Sequence, residues 1–386
     1  MLAADIIDDL DDATALIPAW DALATAQALP LCAPGWMLAW WRRLAPEGAG
    51  LRLLAVREGA DLVALAPWYV TAPSGRGARI DMRFLGAELS DRVDVLCAAG
   101  REDEVGLALR AALTRVRPAP DLIAFEAVPA GSRWTRRLSR GVSGRLRLGP
   151  YRTSARPAPT VALPSGAPEG WLAGRSRNFR GQMGRARRQL EKQGGGVRPI
   201  VEPQERREAV DVLLRLHAAR WEDRAPSGLT RPGVRELLAD AAAALGPDRL
   251  RLWAAEIGDE LISVQLFHAA GGEIKYWNGG WMEEHASLKP TMLTILAALE
   301  DGIARGERRL DLGAGTHPYK LRFADGDDPL TWGGLVVRNR RWPRTAGELA
   351  PVVARQRAKE LVQRLPEPVA ARAERLVKRA EPVQAD

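Results

Sequence analysis

Residues 311–326 read DLGAGTHPYKLRFADG, so that Asp311, Gly313, Gly315, His317, Tyr319 and Lys320 crowd one loop after a short apolar run. Polar side chains set among glycines beyond a strand end are where ligand sites usually lie. Tyr319 suits a general acid toward a thiolate leaving group, His317 a base near neutral pH, and Lys320 a point charge for phosphate or carboxylate. Asp311 completes the candidate catalytic set. A structural hydrogen-bonding role fits each of these side chains equally well.

A second stretch, KYWNGGWMEEHASLKPTMLTILAALEDGIARG over residues 275–306, runs from a strand through a loop into a helix. Met292, Leu296, Leu299 and Ile303 recur at helical spacing, and Gly306 marks the stop. Pro290 belongs to the first turn, where its missing N–H costs nothing. The amides of Thr291, Met292 and Leu293 are then expected to lack intrahelical acceptors and, with the helix dipole, to form an anion site suited to a pyrophosphate. In LHAARW, His217 lies four residues before Trp221 and reads as a core residue or as support behind a site, while Arg220 reaches toward an anionic substrate. No Ser-His-Asp order, metal-ligand spacing, GxGxxG or phosphate-binding loop occurs, which argues against hydrolase, metalloenzyme, dehydrogenase and kinase chemistry.

The elements that must position these residues show an internal repeat. Residues 51–69, LRLLAVREGADLVALAPWY, superpose without a gap on residues 250–268, LRLWAAEIGDELISVQLFH. Each copy reads as a hairpin turning at Gly59 or at Gly258-Asp259, where positive φ is cheap. Further strand-like runs at 83–85, 93–96 and 122–127, with a helix at 102–115, predict an α/β first lobe. Between residues 146 and 174 the chain is dense in Pro, Ser and Gly and reads as a crossover, although Thr160–Leu163 could supply a strand. The second half opens with a basic helix in which Phe179, Met183, Ala186 and Leu190 make the buried stripe, leaving Arg177, Arg180, Arg187 and Arg188 on the other faces. A helix over 205–221, the repeated hairpin, the strand EIKYWNGGW, the Pro290 helix and the strand RRLDLGAG follow. The predicted fold class is therefore α/β (α+β): tandem lobes at 1–165 and 166–335, each a mixed sheet flanked by helices, and a basic helical tail at 336–386.

With 386 residues, 46% of them hydrophobic, the chain is long enough for two cores. It has no run approaching the roughly 20 apolar residues of a membrane helix and no basic signal-like start, so a cytoplasmic protein is expected. Cys32 and Cys97 sit in apolar surroundings without Cys or His partners at ligand spacing, which predicts buried thiols and no metal site. The net charge of +8 favours an anionic ligand, and a phosphate-rich molecule such as coenzyme A would account for it as well as nucleic acid would.

In combination, the order Arg177-x-x-Arg180 with Arg187-Arg188-x-Leu190, LHxxRW, hairpin, YWNGG, SLKP and DLGxGxxPYKxxF resembles the GNAT acyltransferases often labelled cellulose-biosynthesis-type, which are related to Fem-type peptidoglycan aminoacyltransferases. GWMLAWWRRL, ALAPWYV and FLGAELSDRVDVL in the first half fit the same pattern. The resemblance implies two GNAT-like lobes and transfer of an acyl group from acetyl-CoA or another acyl-CoA to an amine or hydroxyl of a small molecule, amino sugar or polysaccharide precursor. It puts Ser287, Leu288, Lys289, Thr291, Met292, Leu293 and Lys320 around the donor, and Trp277, Asn278, Gln265, Arg220 and His217 toward the acceptor. The chain departs from the pattern in lacking the (R/Q)xxGxG/A phosphate loop, and SLKP stands where relatives carry an SPG-like turn. Two alternatives stay open: a Fem-like transferase drawing on aminoacyl-tRNA, and a degenerate GNAT scaffold in envelope-polysaccharide synthesis. All three readings require the amide end near Pro290 to share a cleft with the 311–320 loop.

Overall fold

The first half of the chain begins with β1 (Ala3–Ile7) and three helices, α1 (Leu10–Ala15), α2 (Ile17–Ala26) and α3 (Pro34–Leu44). Apolar runs buried on both faces then make the hairpin β2 (Gly50–Glu58) and β3 (Asp61–Val70), turning at Gly59 with φ 61°. Next come β4 (Asp81–Phe84), the short β5 (Leu96–Cys97), α4 (Glu102–Leu113), β6 (Leu122–Pro129), α5 (Trp134–Ser139) and β7 (Leu148–Arg156). Of the run expected as a strand over 93–96, only Leu96 pairs; Val93 and Val95 are buried without joining a ladder.

The first half ends with β8 (Pro159–Ala162), and the second half comprises α6 (Pro168–Ala173), α7 (Arg177–Lys192), β9 (Gly195–Ile200), α8 (Pro203–Trp221) and α9 (Val234–Arg249). The repeated hairpin follows as β10 (Leu250–Ile257) and β11 (Glu260–Ala270), and then β12 (Glu273–Trp281), α10 (Pro290–Ala304), β13 (Arg309–Asp311) and α11 (Pro318–Phe323). The chain continues through β14 (Gly326–Asp327), β15 (Leu330–Val337) and α12 (Trp342–Val362), which packs on β7 and β15. This computed structural model describes residues 2–72, 75, 78–140, 148–166, 168–221 and 227–362; the tail segment VAARAERLVKRA lies outside the described residues. No helix among them is long and apolar enough to cross a membrane. Cys32 and Cys97 are both buried, and burial pushes each thiol up to about 12.

The two hairpins are equivalent strand by strand. Leu51 pairs with Tyr69 and Glu58 with Asp61, as Leu250 pairs with His268 and Ile257 with Glu260. A register shift falls between Val56 and Arg57 in one copy and between Ala255 and Glu256 in the other, which are matching positions of the repeat. The larger sheets obey the same rule, running β1-β2-β3-β4-β6-β15-β7, with β5 added to β3, and β9-β10-β11-β12-β13-β8-β14. In each, the fourth and fifth strands are parallel and all other neighbours on the path antiparallel.

The sixth strand of each sheet comes from the other half of the chain. β8 leaves β7 and enters the second sheet between β13 and β14, and β15 leaves β14 and enters the first sheet between β6 and β7. Sheet membership therefore does not follow chain order across residues 159–162 and 330–337. One core is continuous from the first sheet through α8 and α9 to the Leu250–Leu252–Ala254 face of the second sheet. The opposite face of that sheet, with Trp253, Ile262, Phe267 and Tyr276, is covered by α7, α10 and α11. Side chains on β12 thus alternate between the lobe interface and the space under α10.

Candidate active site

The site is built from the second sheet's α10 face. β11 and β12 lose register between Leu266 and Phe267, where Leu266 opposes Asn278 and Phe267 opposes Tyr276, so Trp277 is the extra residue of a bulge. The bulge resets the alternation. Tyr276, Gly279 and Trp281 face a cavity of about 190 Å³ below the start of α10, whereas Trp277 and Asn278 face a different cavity, of about 320 Å³, at the lobe interface.

In the smaller cavity, Lys289, Pro290, Thr291 and Met292 from the α10 start meet Tyr276, Gly279 and Trp281 from β12, Tyr319 from α11 and Arg220 from the end of α8. Lys289 holds φ 53°, a left-handed value uncommon for a side-chain-bearing residue, and so turns the chain sharply into the helix. The Met292 and Leu293 amides both donate to the Lys289 carbonyl, at 3.0 and 3.1 Å. The expected three-amide cradle is thereby corrected: with Pro290 lacking an N–H, the first-turn amide without an acceptor among the described residues is that of Thr291. The dipole of the helix still points its positive end at the cavity.

Behind the cavity lies a chain of polar side chains. Tyr276 donates to Gln265 Oε1 at 2.8 Å, and Gln265 Nε2 donates to Ser263 Oγ at 2.9 Å and, at longer range, to Thr291 Oγ1 at 3.5 Å. The Tyr276 and Tyr319 phenols interact beside the cavity. Burial pushes both phenols above the usual tyrosine value, and Arg220 pulls each of them the other way. With the Tyr276 proton directed to Gln265 Oε1, Tyr319 is the phenol of the pair that can donate toward the cavity. Gly279 is required by this arrangement, since a Cβ there would lie 1.7 Å from Gln265 Oε1. Arg220 is exposed at the mouth with its guanidinium 5.1 Å over the Trp281 ring.

The remaining expected residues fall elsewhere. Asp311 is fully buried, accepts from Arg92 Nε at 2.5 Å and the Gly313 amide at 2.7 Å, and lies 3.1 Å from Lys275 Nζ. Although burial opposes its charge, Lys275 and Arg92 hold the carboxyl far below the usual range. It lines neither cavity, so its expected catalytic role is corrected to bracing the loop. Lys320 is also buried and donates to the carbonyls of Ala314 at 2.7 Å and Gly313 at 3.3 Å, which takes it out of the expected donor-binding set; burial lowers it to about 8. His317 is exposed and caps α11, its ring stacked on Tyr319 at 6.1 Å. Leu288 and Leu293 are core residues, and Ser287 is exposed outside the cavity lining.

On the acceptor side, Gln265 is fully buried and organises Tyr276 without reaching solvent. His217 is buried, its Nε2 2.8 Å from Ser227 Oγ, and burial lowers its pKa, so it is neutral near pH 7. Trp277 Nε1 donates to the Leu89 carbonyl at 2.6 Å and its ring packs edge-on against Trp36, tying the lobes together. The interface cavity that Trp277 and Asn278 line also takes in Ser90, Asp91 and Lys275. Reading the sequence missed Tyr276, Trp281, Ser263 and Lys275. The paired glycines after Asn278 were the available signal, because they mark where backbone gives way to a neighbouring side chain.

With this geometry in place, the comparisons with known proteins bear on part of the second sheet. Residues 177–321 match the acetyltransferase (GNAT) domain family. The match runs from α7 into α11, less than half the chain, and contains the cavity, Tyr276 and Tyr319. No curated protein matches the chain in sequence. Among solved structures, FemX is 11% identical with a TM-score of 0.59, covering 85% of this chain and 96% of that one. The C-terminal domain of a putative lysylphosphatidylglycerol synthetase from Agrobacterium fabrum is 10% identical with a TM-score of 0.52 over 88% and 95% of the two chains. L-PGS from Bacillus licheniformis is 11% identical with a TM-score of 0.51 over 90% and 97%. At these identities the likeness is one of fold, and it extends over both lobes. The β8 strand that completes the second sheet lies outside the matched segment.

Proposed function

We propose that the chain is an acyltransferase that moves an acyl group from an acyl-CoA, or a similar activated donor, to an amine or hydroxyl. The observation that carries this reading is the shared cavity, in which the α10 start stands across from the Tyr276–Tyr319 pair. Thr291 N–H, the helix dipole and Arg220 suit the donor's phosphates or a developing oxyanion. In the proposed reaction a neutral amine adds to the thioester carbon, the C–S bond breaks, and the thiolate takes the Tyr319 proton. The adduct's surplus proton then restores Tyr319, leaving amide and free thiol. Direct transfer asks mainly for alignment of two reactants, so no nucleophilic side chain is needed. Calorimetric titration with acetyl-CoA and longer acyl-CoAs should show saturable binding, and absence of binding to every donor would overturn the proposal.

A second reading, transfer from aminoacyl-tRNA, is favoured by one observation. Arg177, Arg180, Arg187 and Arg188 are exposed on α7, the helix that packs beside α10, and Arg187 reaches Glu300 of α10 at 3.4 Å. A basic face at that position suits a polyphosphate backbone. Salt-sensitive tRNA binding without any acyl-CoA binding would select this reading over the first.

A further inference from the structure

A third cavity, of about 370 Å³, lies between α8 and α9, away from the residues described above. Its walls are largely apolar, with Val201, Val210, Ala239, Ala242 and Ala243 contributing. Arg206, from the first turn of α8, also lines it and is only 5% exposed. Among the described residues the Nη1 atom of Arg206 is buried without a hydrogen-bond partner, and Nη2 reaches only the Gly246 carbonyl, at 3.5 Å. That carbonyl belongs to the kink of α9, where Gly246 holds φ 66° beside Pro247.

The other buried arginines behave differently. Arg92 is met by Asp311 and Asp328, and Arg251 by Glu307. At Arg206 burial lowers the pKa and no carboxylate among the described residues offsets it. The single acidic residue in the lining, Asp211, is already engaged by both Arg235 donors at 2.5 and 2.7 Å. An enclosed guanidinium without a counter-ion is unfavourable unless something else supplies the charge, and apolar walls beside it select what that is. A carboxylate fits the flat guanidinium fork with two parallel bonds, and an aliphatic chain fits the walls.

We propose that the α8–α9 cavity binds a small aliphatic carboxylic acid, with Arg206 as the counter-ion of its carboxylate. The site is separate from the cavity under α10, so its test does not depend on acyl transfer. The probe is decanoate, titrated calorimetrically into the full chain, with decanol as the uncharged comparison. Wild-type protein is expected to bind decanoate saturably and decanol about ten- to a hundredfold more weakly, the worth of bonds to a charged group. Arg206→Met is expected to lose that preference while raising the melting temperature of the ligand-free protein, because it removes the unpaired charge. Arg206→Lys, which keeps the charge, should retain part of the preference and guards against a folding failure in the first variant. Equal affinity for decanoate and decanol, no binding of decanoate, or undiminished decanoate binding by Arg206→Met would each overturn the proposal.

Discussion

Tyr319 and Tyr276 illustrate how two identical side chains acquire different tasks from one hydrogen bond. Both are withdrawn from water, which holds them neutral, but only Tyr276 has its proton committed to Gln265, which leaves Tyr319 to donate into the cavity. Tyr319→Phe should lower kcat by about a hundredfold or more, the usual worth of a positioned acid, with KM little changed. Because the Tyr319 pKa is raised and the protonated form is the acid, wild-type kcat should stay level as pH rises through 10 and fall only above it. A Tyr319→Phe enzyme turning over at the wild-type rate would remove Tyr319 from the chemistry. His268 shows the opposite shift. It is fully enclosed, neither ring nitrogen has a hydrogen-bond partner among the described residues, and burial, with Arg249 and Lys275 nearby, lowers it to about 3. The folded state therefore binds fewer protons than the unfolded chain between about pH 6.5 and 3. Its contribution to stability is complete above 6.5 and should decline by about 1.4 kcal/mol per pH unit below that. Chemical denaturation of wild type and His268→Leu at pH 7 and pH 5 checks this, since wild type should lose more stability than the variant as pH falls.

At the scale of elements, the β12 bulge matters most, because it sends Tyr276 and Gly279 to one cavity and Trp277 with Asn278 to another. Gly279 lets the Gln265 amide lie flat across the strand, and Gly280 does the same for α8, since a Cβ there would sit 2.6 Å from Leu216 Cβ. Gly279→Ala should leave the fold intact, because the obstructed atom is the end of a flexible side chain. It should nonetheless release Tyr276 and slow turnover by about tenfold, as loss of one hydrogen bond of about 1–1.5 kcal/mol would. Circular dichroism alongside a thiol-release assay separates the two effects, and an unaffected rate would show that Gln265 does not position the tyrosines. YWNGG was legible as a motif, but the facing of its residues was not. A one-residue bulge inverts every assignment made by alternation, and it is decided by pairing with β11.

For the whole molecule, the exchanged strands β8 and β15 make the lobes mutually dependent. A fragment of residues 166–386 lacks β8 and leaves β13 with an open edge, and residues 1–165 lack β15. Unpaired edges of this kind promote aggregation. Each fragment expressed alone should be insoluble, and the two together should give a soluble complex by size-exclusion chromatography. A folded, monomeric half would contradict this dependence. Arg92, held at φ 61°, ties the same interface electrostatically by bridging Asp311 and Asp328 from the second half.

Sequence by itself determined the local and the repeated features: the two hairpins with their glycine turns, the Pro290 helix with its apolar stripe, and the mixed α/β class. These follow from periodicity and turn chemistry, which act over a few residues. The tertiary structure alone decided that Asp311 and Lys320 serve the loop, that Tyr276 faces the cavity, and that β8 and β15 change places. Each of those depends on partners far away in the chain, such as Arg92 for Asp311 and Arg309–Asp311 for β8, and a side chain's charge or spacing carries no record of which distant group will meet it.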